Sequence, residues 1–338
     1  MVEGGFGPGA RVLMADLRWK PIEQVEVGDK VLAVSPLGRD LVFCTSTVRD
    51  VVSHRDFVAS VNGRFLVSVE QDVLVDYTWK PFLQTQTAKC LFINCINWSS
   101  PSWCKGYLAG MADGDGCWYD DLHRFFLPQK EEAVLHKFKE CADKIAWYLR
   151  LGRTTQGLKL LRGTNADSNM EAYCLIYQDD GSPEYAAGYL AGIFDAEGTS
   201  STHPTAIRIG IQLNPKRSNK NPREIIARVK QYAEQLGYHF RIWVGDNGWT
   251  VLRITNPVRV VVETQPASEK RLKFIRNTLR TVQSKVPIQT TVVNRTEVIA
   301  LESEVGNAVV EGFVINCVLQ NFNKEKKEID YCQLVQDN

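Results

Sequence analysis

Two stretches of this chain, "SPSWCKGYLAGMADGDG" from Ser100 and "SPEYAAGYLAGIFDAEG" from Ser182, agree at nine of seventeen positions, 82 residues apart. A duplication of that length demands a fold that holds two related elements. In each copy a Ser-Pro pair (Ser100-Pro101, Ser182-Pro183) suits a helix N-cap followed by proline in the first turn. A helix of about fifteen residues is expected to follow and to stop at the last glycine, Gly116 or Gly198. Gly106, Ala109, Gly110 and Asp113 then share one face, as do Gly188, Ala191, Gly192 and Asp195. Glycine inside a helix costs up to about 1 kcal/mol relative to alanine, so these need a compensation. A face without side chains lets a second backbone come close. The natural partner is the other copy, and side-by-side packing would bring the two C-terminal ends together.

Acids stand at both of those ends. Asp115 and Glu197 hold the same position just before the final glycine, with Asp113 and Asp195 two residues earlier. Brought side by side, Asp115 and Glu197 form a like-charge pair that a cation would relieve. Hard oxygen ligands without nearby histidine or cysteine suit Mg²⁺ better than zinc. Cations between two carboxylates and a phosphate can activate water and stabilise a leaving oxygen. The competing reading is that the acids merely cap helices or pair with Arg and Lys. An acid at a helix C-terminus opposes the macrodipole, which weakens that reading. For Asp113 and Asp195 the expectation is structural hydrogen bonding at the helix interface.

Around the duplication the chain changes character. Before it, short β-rich runs ("RVLMA", "KVLAVS", "LVFCTSTV", "RFLVSV") alternate with Gly, Asp and Pro turns, as in an all-β unit. "VLMADLRWKPIEQ" from Val12 is echoed by "VLVDYTWKPFLQ" from Val73, which points to internal symmetry there. After each glycine-rich helix the pattern reads as two strands, a helix and two strands. In the second copy "TAIRIGIQLN" alternates, "PREIIARVKQYAEQLG" is an amphipathic helix, and "FRIWVGDNGWTVLRIT" is a hairpin around Asp246-Asn247-Gly248. In the first copy "CWYDDLHRFFLPQ" is strand-like, "EEAVLHKFKECADKIAWYLRLG" helical, and "GLKLLRG" and "AYCLIYQ" strand-like. "ASEKRLKFIRNTLRTVQSK" closes the second copy as a basic helix. From about Val286 the chain is β-rich again, and it ends in a charged tail.

Nine cysteines, an odd number with no C-x-x-C pair, read as free buried thiols in a reducing compartment rather than disulfides or a zinc site. No apolar run approaches the length of a membrane span, and the start lacks a signal-peptide pattern, so an intracellular location is expected. The formal net charge is only +1, but the charge is uneven. Between Arg208 and Lys230 seven basic residues face one acid, and between Lys270 and Lys285 six face none. Arg208, Gln212 and Asn214 alternate outward on one strand. Such side chains on a β-ribbon can read a DNA groove, while neighbouring lysines hold phosphate.

The strings "LAGMADGDG" and "LAGIFDAEG" resemble the paired signature of LAGLIDADG homing endonucleases, over roughly residues 98–285. That resemblance implies an α+β fold, a pseudo-two-fold pair of αββαββα repeats in one monomeric chain. It implies divalent-metal cleavage of double-stranded DNA at a long asymmetric site, with two or three Mg²⁺ ions shared by Asp115, Glu197 and DNA phosphates. The family's water-positioning polar residues correspond to Gln129 or Lys130 and to Asn214 or Lys216. Its basic active-site residue corresponds to Lys270, with no counterpart in the first repeat. Arg208, Gln212, Asn214, Lys216, Arg217, Lys220, Arg241, Arg253, Arg271 and Lys273 make up the expected DNA-binding set.

The flanks resemble a split Hint-like (intein) splicing domain. "FGPGARVLMADLRWKPIEQVEVGDKVL" is similar to an intein's first block and "VIALESEVGNAVVEGFVINC" to its last. The splicing positions are degenerate. Gly5 stands where a nucleophile is needed, Ser68 and Gln71 occupy the Thr-x-x-His block, and Ile315 replaces the penultimate histidine. Asn316 and Cys317 survive. The expected division is 1–97 for the first Hint-like half, 98–180 and 181–285 for the repeats, 286–317 for the second half and 318–338 for the tail. The leading expectation is a Mg²⁺-dependent site-specific endonuclease in a splicing-inactive shell. Its rivals are residual self-cleavage at Asn316 and a DNA- or RNA-binding protein that does not cut.

Overall fold

Short apolar runs broken by Gly, Asp and Pro give the N-terminal strands. The computed structural model describes residues 4–37, 40–75, 78–90, 96–119, 124–153, 159–163, 166–200, 206–212, 221–245, 249–269, 272 and 284–317. Within them the first strands are β1 (Arg11–Leu13), β2 (Trp19–Pro21), β3 (Lys30–Leu37), β4 (Asp40–Val61), β5 (Phe65–Ser68), β6 (Asp72–Val75), β7 (Thr78–Pro81) and β8 (Thr87–Cys90). The echoed sequence folds alike twice. Val12 pairs with Lys20 in one hairpin and Val73 with Lys80 in the other. Each second strand ends in proline and runs into one 3-10 turn, Ile22–Gln24 or Phe82–Gln84. The amides of Ile22 and Phe82 bond back to the carbonyls of Ala10 and Gln71.

The middle of the chain runs through α1 (Pro101–Gly114), β9 (Cys117–Tyr119), β10 (Arg124–Pro128), α2 (Glu132–Lys144), β11 (Leu149–Arg153), β12 (Lys159–Gly163) and α3 (Ala166–Ile176). It then repeats that order as α4 (Pro183–Glu197), β13 (Gly198–Ser200), β14 (Ala206–Gln212), α5 (Pro222–Gln235), β15 (Phe240–Val244), β16 (Trp249–Thr255) and α6 (Pro257–Thr264). Each run folds its strands into an antiparallel four-stranded sheet, in the orders β11-β12-β10-β9 and β13-β14-β16-β15. Phe125, Leu127 and Leu149 of the first sheet and Ile209, Leu252 and Ile254 of the second are buried.

Four expectations need correction here. α1 stops at Gly114, with Asp115 as its cap, two residues before Gly116. The long helix expected from Glu131 to Gly152 ends at Lys144, and residues 149–153 form β11. Ala146 ends it in the left-handed region (φ 59°), with Trp147 N bonded to Ala142 O and Ala146 N to Asp143 O. That is a Schellman stop. The second run makes the same stop with Gly237 (φ 67°), a residue that announces itself in a sequence as alanine does not. "AYCLIYQ" is helical in α3, not a strand: Ala172 and Ile176 are buried one turn apart, while Tyr173 stacks on Trp118. A short apolar run leaves helix and strand undecided until such neighbours exist. Finally, the last two residues of the supposed basic helix, Ser284 and Lys285, belong to strand β17 (Ser284–Pro287). Most of that segment, the turn at 246–248 and the tail at 318–338 lie outside the described residues.

The chain then returns as β17, β18 (Thr290–Ser303), β19 (Asn307–Val310) and β20 (Phe313–Asn316) to the sheets begun by the N-terminal strands. β17 pairs with β8, β20 with β6 and β8, and β18 runs along β4 from Thr290↔Val61 to Ser303↔Val48. Phe6, Phe65, Phe82 and Phe313 form the aromatic centre of this core, with ring centroids 5.6–6.2 Å apart. By contact density there are two units: Met1–Ile93 with Leu279–Asn338, and Asn94–Thr278. Among the described residues no helix is long and apolar enough to cross a membrane. Cys44, Cys104, Cys117, Cys141, Cys174 and Cys317 are free thiols, and Cys117 and Cys174 are exposed rather than buried.

Candidate functional site

Local sequence starts the two glycine-rich helices alike. Ser100 Oγ accepts from Trp103 N and Ser182 Oγ from Tyr185 N, each at 3.1 Å, with proline in the first turn of both. The helices then lie backbone to backbone. A Cβ on Gly106 would strike the Tyr185 carbonyl, and one on Gly110 the Tyr189 carbonyl. Reciprocally, Gly188 abuts the Trp103 carbonyl and Gly192 the Tyr107 carbonyl. No residue with a side chain fits at these four positions. The contact offsets the helical cost of glycine.

The inner acids are buried and exchange tyrosine hydroxyls across this seam. Tyr107 Oη donates to Asp195 Oδ2 at 2.8 Å, and Tyr189 Oη to Asp113 Oδ2 at 2.5 Å. Beyond that exchange the two differ. Asp113 also accepts from Tyr177 Oη and forms an ion pair with Arg228 of α5 at 2.8 Å. Asp195 accepts the backbone amides of Ala267 (2.6 Å) and Ser268 (2.9 Å). Burial raises the Tyr189 phenol well above its ordinary pKa, and the neighbouring Asp113 adds to this. Burial works against the charge of Arg228, but Tyr189 and Asp113 more than compensate and raise its pKa. These tyrosines were not singled out from the sequence, and Arg228, counted there among seven basic residues for a polyanionic partner, is instead paired with Asp113. The tyrosines' matched places in the two strings, "GYLAG" in each, were the available signal.

At the C-terminal ends Asp115 caps α1 and Glu197 is the last residue of α4, both half-buried. A Cβ on Gly114 would lie 3.3 Å from Glu197 Cγ, so the glutamate stem crosses α1 one residue before Asp115. Gln129, just past β10, donates from Nε2 to Asp115 Oδ2 at 2.9 Å. Its Oε1 accepts the amides of Lys130 (2.7 Å) and Glu131 (3.2 Å). Lys130 itself is exposed. Among the described residues no cluster of three or more His, Cys, Asp or Glu is placed to hold a metal. A two-carboxylate donor set still fits a hard cation such as Mg²⁺, which keeps several waters and takes phosphate oxygens as ligands. Lys270, Arg271, Lys273, Asn214, Lys216, Arg217 and Lys220 lie outside the described residues.

Strand register assembles a feature that spacing alone does not reveal. Arg208 of β14 sits opposite Arg253 of β16, which sits opposite Arg241 of β15. Like charges directly opposite repel, so a row of three invites a polyanion. The next outward row is Gly210, Val251 and Trp243, and Gln212 pairs in register with Trp249. Trp243 is 62% and Trp249 38% exposed. In the first sheet the matching register holds Phe126, Arg162 and Arg150. Neither tryptophan, nor this first row, was picked out from the sequence.

The degenerate splicing positions also meet. Gly5 N donates to Gln71 Oε1 (2.9 Å), Gln71 Nε2 donates to Asn316 O (2.9 Å), and Ser68 N donates to Gly5 O (2.8 Å). Ser68 Oγ donates to Asp56 at 2.6 Å, and Ile315 is buried in the core. Burial pushes the Cys317 thiol well above its ordinary pKa, so it stays protonated.

No family model and no curated protein matches this sequence. Among solved structures the chain is similar to the homing endonuclease I-DmoI in complex with DNA and Mn, at 18% identity and a TM-score of 0.37 over 50% of this chain and 99% of that one. I-DmoI in complex with DNA and Ca gives 17% and 0.39, over 51% and 97%. Full-length DUF199/WhiA from Thermatoga maritima gives 11% and 0.38, over 53% and 60%.

Proposed function

We propose that residues 98–285 form a site-specific endonuclease for double-stranded DNA, built as two αββαββα repeats, 98–180 and 181–285, about a pseudo-two-fold axis. The observation that carries this reading is the glycine seam, which sets Glu197 beside the Asp115 end of α1. Asp115 and Glu197 would hold Mg²⁺, whose chemistry there is to activate water and stabilise the leaving oxygen of a phosphodiester. Gln129 fixes the rotation of the Asp115 carboxylate through its amide. The row Arg208, Arg253 and Arg241 grips phosphate or reads guanine edges, and Trp243 and Val251 offer apolar contact to thymine methyls. The sheets differ in these rows, which suits a long asymmetric target. Lys270 and the basic residues that follow it are proposed to face the scissile phosphate, where they would steady developing negative charge.

Incubating the protein with a randomised DNA library and Mg²⁺ tests this. Wild type is expected to cut a discrete family of sites, while Asp115→Asn and Glu197→Gln bind the same sites without cutting. Tight metal-independent binding with no cutting on any target would reject the endonuclease in favour of a binding protein.

For the outer unit we infer a relic of a split Hint-like splicing domain. Its support is the convergence of Gly5, Ser68, Gln71 and Asn316, far apart in sequence, in one hydrogen-bonded group. Glycine at position 5 has no nucleophile, and an amide at position 71 cannot shuttle a proton. The full chain is therefore expected to keep its intact mass on long incubation. A fragment ending at Asn316 would show residual self-cleavage instead.

A further inference from the structure

We propose that Ser268 and Glu131 are positioning residues, a strut between the two repeats that sets the orientation of the Asp115 carboxylate through Gln129. This rests on the endonuclease reading of the same site. Glu131 stands at the N-cap of α2, where Ser, Thr, Asp or Asn is preferred, and its side chain makes no capping bond. Its carboxylate instead accepts the Ser268 hydroxyl, at 2.8 and 2.9 Å to its two oxygens. Ser268 is fully buried and comes 137 residues later in the chain. Its own backbone is pinned, because Ser268 N and Ala267 N both donate to Asp195.

A continuous set of hydrogen bonds follows. Asp195 on α4 holds the backbone of Ser268, and the Ser268 hydroxyl holds the Glu131 carboxylate. The Glu131 amide, with that of Lys130, then holds Gln129 Oε1. With its oxygen occupied, the Gln129 side chain can present only its NH₂ to Asp115. The acid at the helix seam thereby reaches the candidate metal ligand of the other repeat through groups that carry no metal. Removing the Ser268 hydroxyl frees the carboxylate of Glu131, loosens the turn at 129–131 and lets the Gln129 amide rotate away.

The test uses the full chain with Ser268→Ala, Glu131→Gln and the conservative Ser268→Thr. The side-chain NH₂ resonances of Gln129, assigned by their disappearance in Gln129→Glu, report the orientation of the amide with no need for a substrate. They are expected to move to solvent-like positions in Ser268→Ala and Glu131→Gln, and to stay near wild type in Ser268→Thr. On a cleaved target from the library, kcat should fall about tenfold in Ser268→Ala with KM unchanged, and Ser268→Thr should restore it. Unmoved Gln129 resonances in Ser268→Ala, or moved resonances with unchanged kcat, would overturn the proposal. A wild-type protein that cuts no DNA would overturn the endonuclease reading, and the positioning role with it, whatever the resonances do.

Discussion

The two sides of the glycine seam carry the same residue at Asp113 and Asp195, and the same donor, a tyrosine from the opposite helix. Past that shared exchange they part. Asp113 holds a cation, Arg228 on α5, and a second tyrosine, Tyr177. Asp195 holds two backbone amides at Ala267 and Ser268. One acid thus pins a side chain, the other a stretch of main chain just before Lys270. A duplicated element keeps what it shares with its own copy, because a change on one side needs a matching change on the other. The outward contacts have no such tie, and each half uses its acid for what surrounds it.

That comparison can be broken in graded steps. Asp115→Asn and Glu197→Gln test whether the halves contribute alike to chemistry. Each is expected to lower the cleavage rate about a thousandfold, roughly 4 kcal/mol of transition-state stabilisation, with unchanged thermal unfolding. A mild loss in only one of them would make the site one-sided. Gly106→Ala and Gly188→Ala test the seam itself, since each places a methyl against a backbone carbonyl. Each should cost about 3 kcal/mol in urea unfolding, and wild-type stability in either would deny the close approach. Asp113→Asn should cost about 2–3 kcal/mol because Arg228 loses its partner, and Asp195→Asn about 1–2 kcal/mol because it weakens the bonds from the Tyr107 hydroxyl and the Ala267 and Ser268 amides. The loss at Asp113 should shrink as salt is raised, because an ion pair is screened, and a salt-independent loss there would deny the Arg228 pair its share. The smallest effect belongs to the sheets. Arg253→Gln, in the middle of the arginine row, should reduce the slope of log affinity against log salt by about 1 if it meets phosphate. Arg162→Gln, at the matching register position of the first sheet, offers the matched measurement.

Legibility in the sequence followed the range of the interaction. Helix starts at Ser100 and Ser182, the glycine face and the alternation of Ile207, Ile209 and Ile211 all depend on neighbours within a turn or two, and these could be read. The stop of α2 could not, because Ala146 adopts a conformation usually signalled by glycine and is held there by the Schellman bonds. α3 was hidden because the packing of Tyr173 on Trp118, not its own short run, selects the helix. α6 was missed as well. Its apolar run of valines lies between Asn256 and Gln265, both in the left-handed region, and neither is a glycine. Its Arg259 also closes the end of α5 by donating to the Leu236 and Gly237 carbonyls.

By itself, then, the sequence determined that two glycine-faced helices must meet and that acids must stand at their ends. Small residues at helical spacing leave few other ways to bury a backbone. Only the tertiary structure decided which tyrosine serves which aspartate, that three arginines from three strands fall in one row, and that Ser268 closes on Glu131. Those pairings join residues tens to more than a hundred positions apart. They are fixed by strand register and helix packing, which no local pattern encodes.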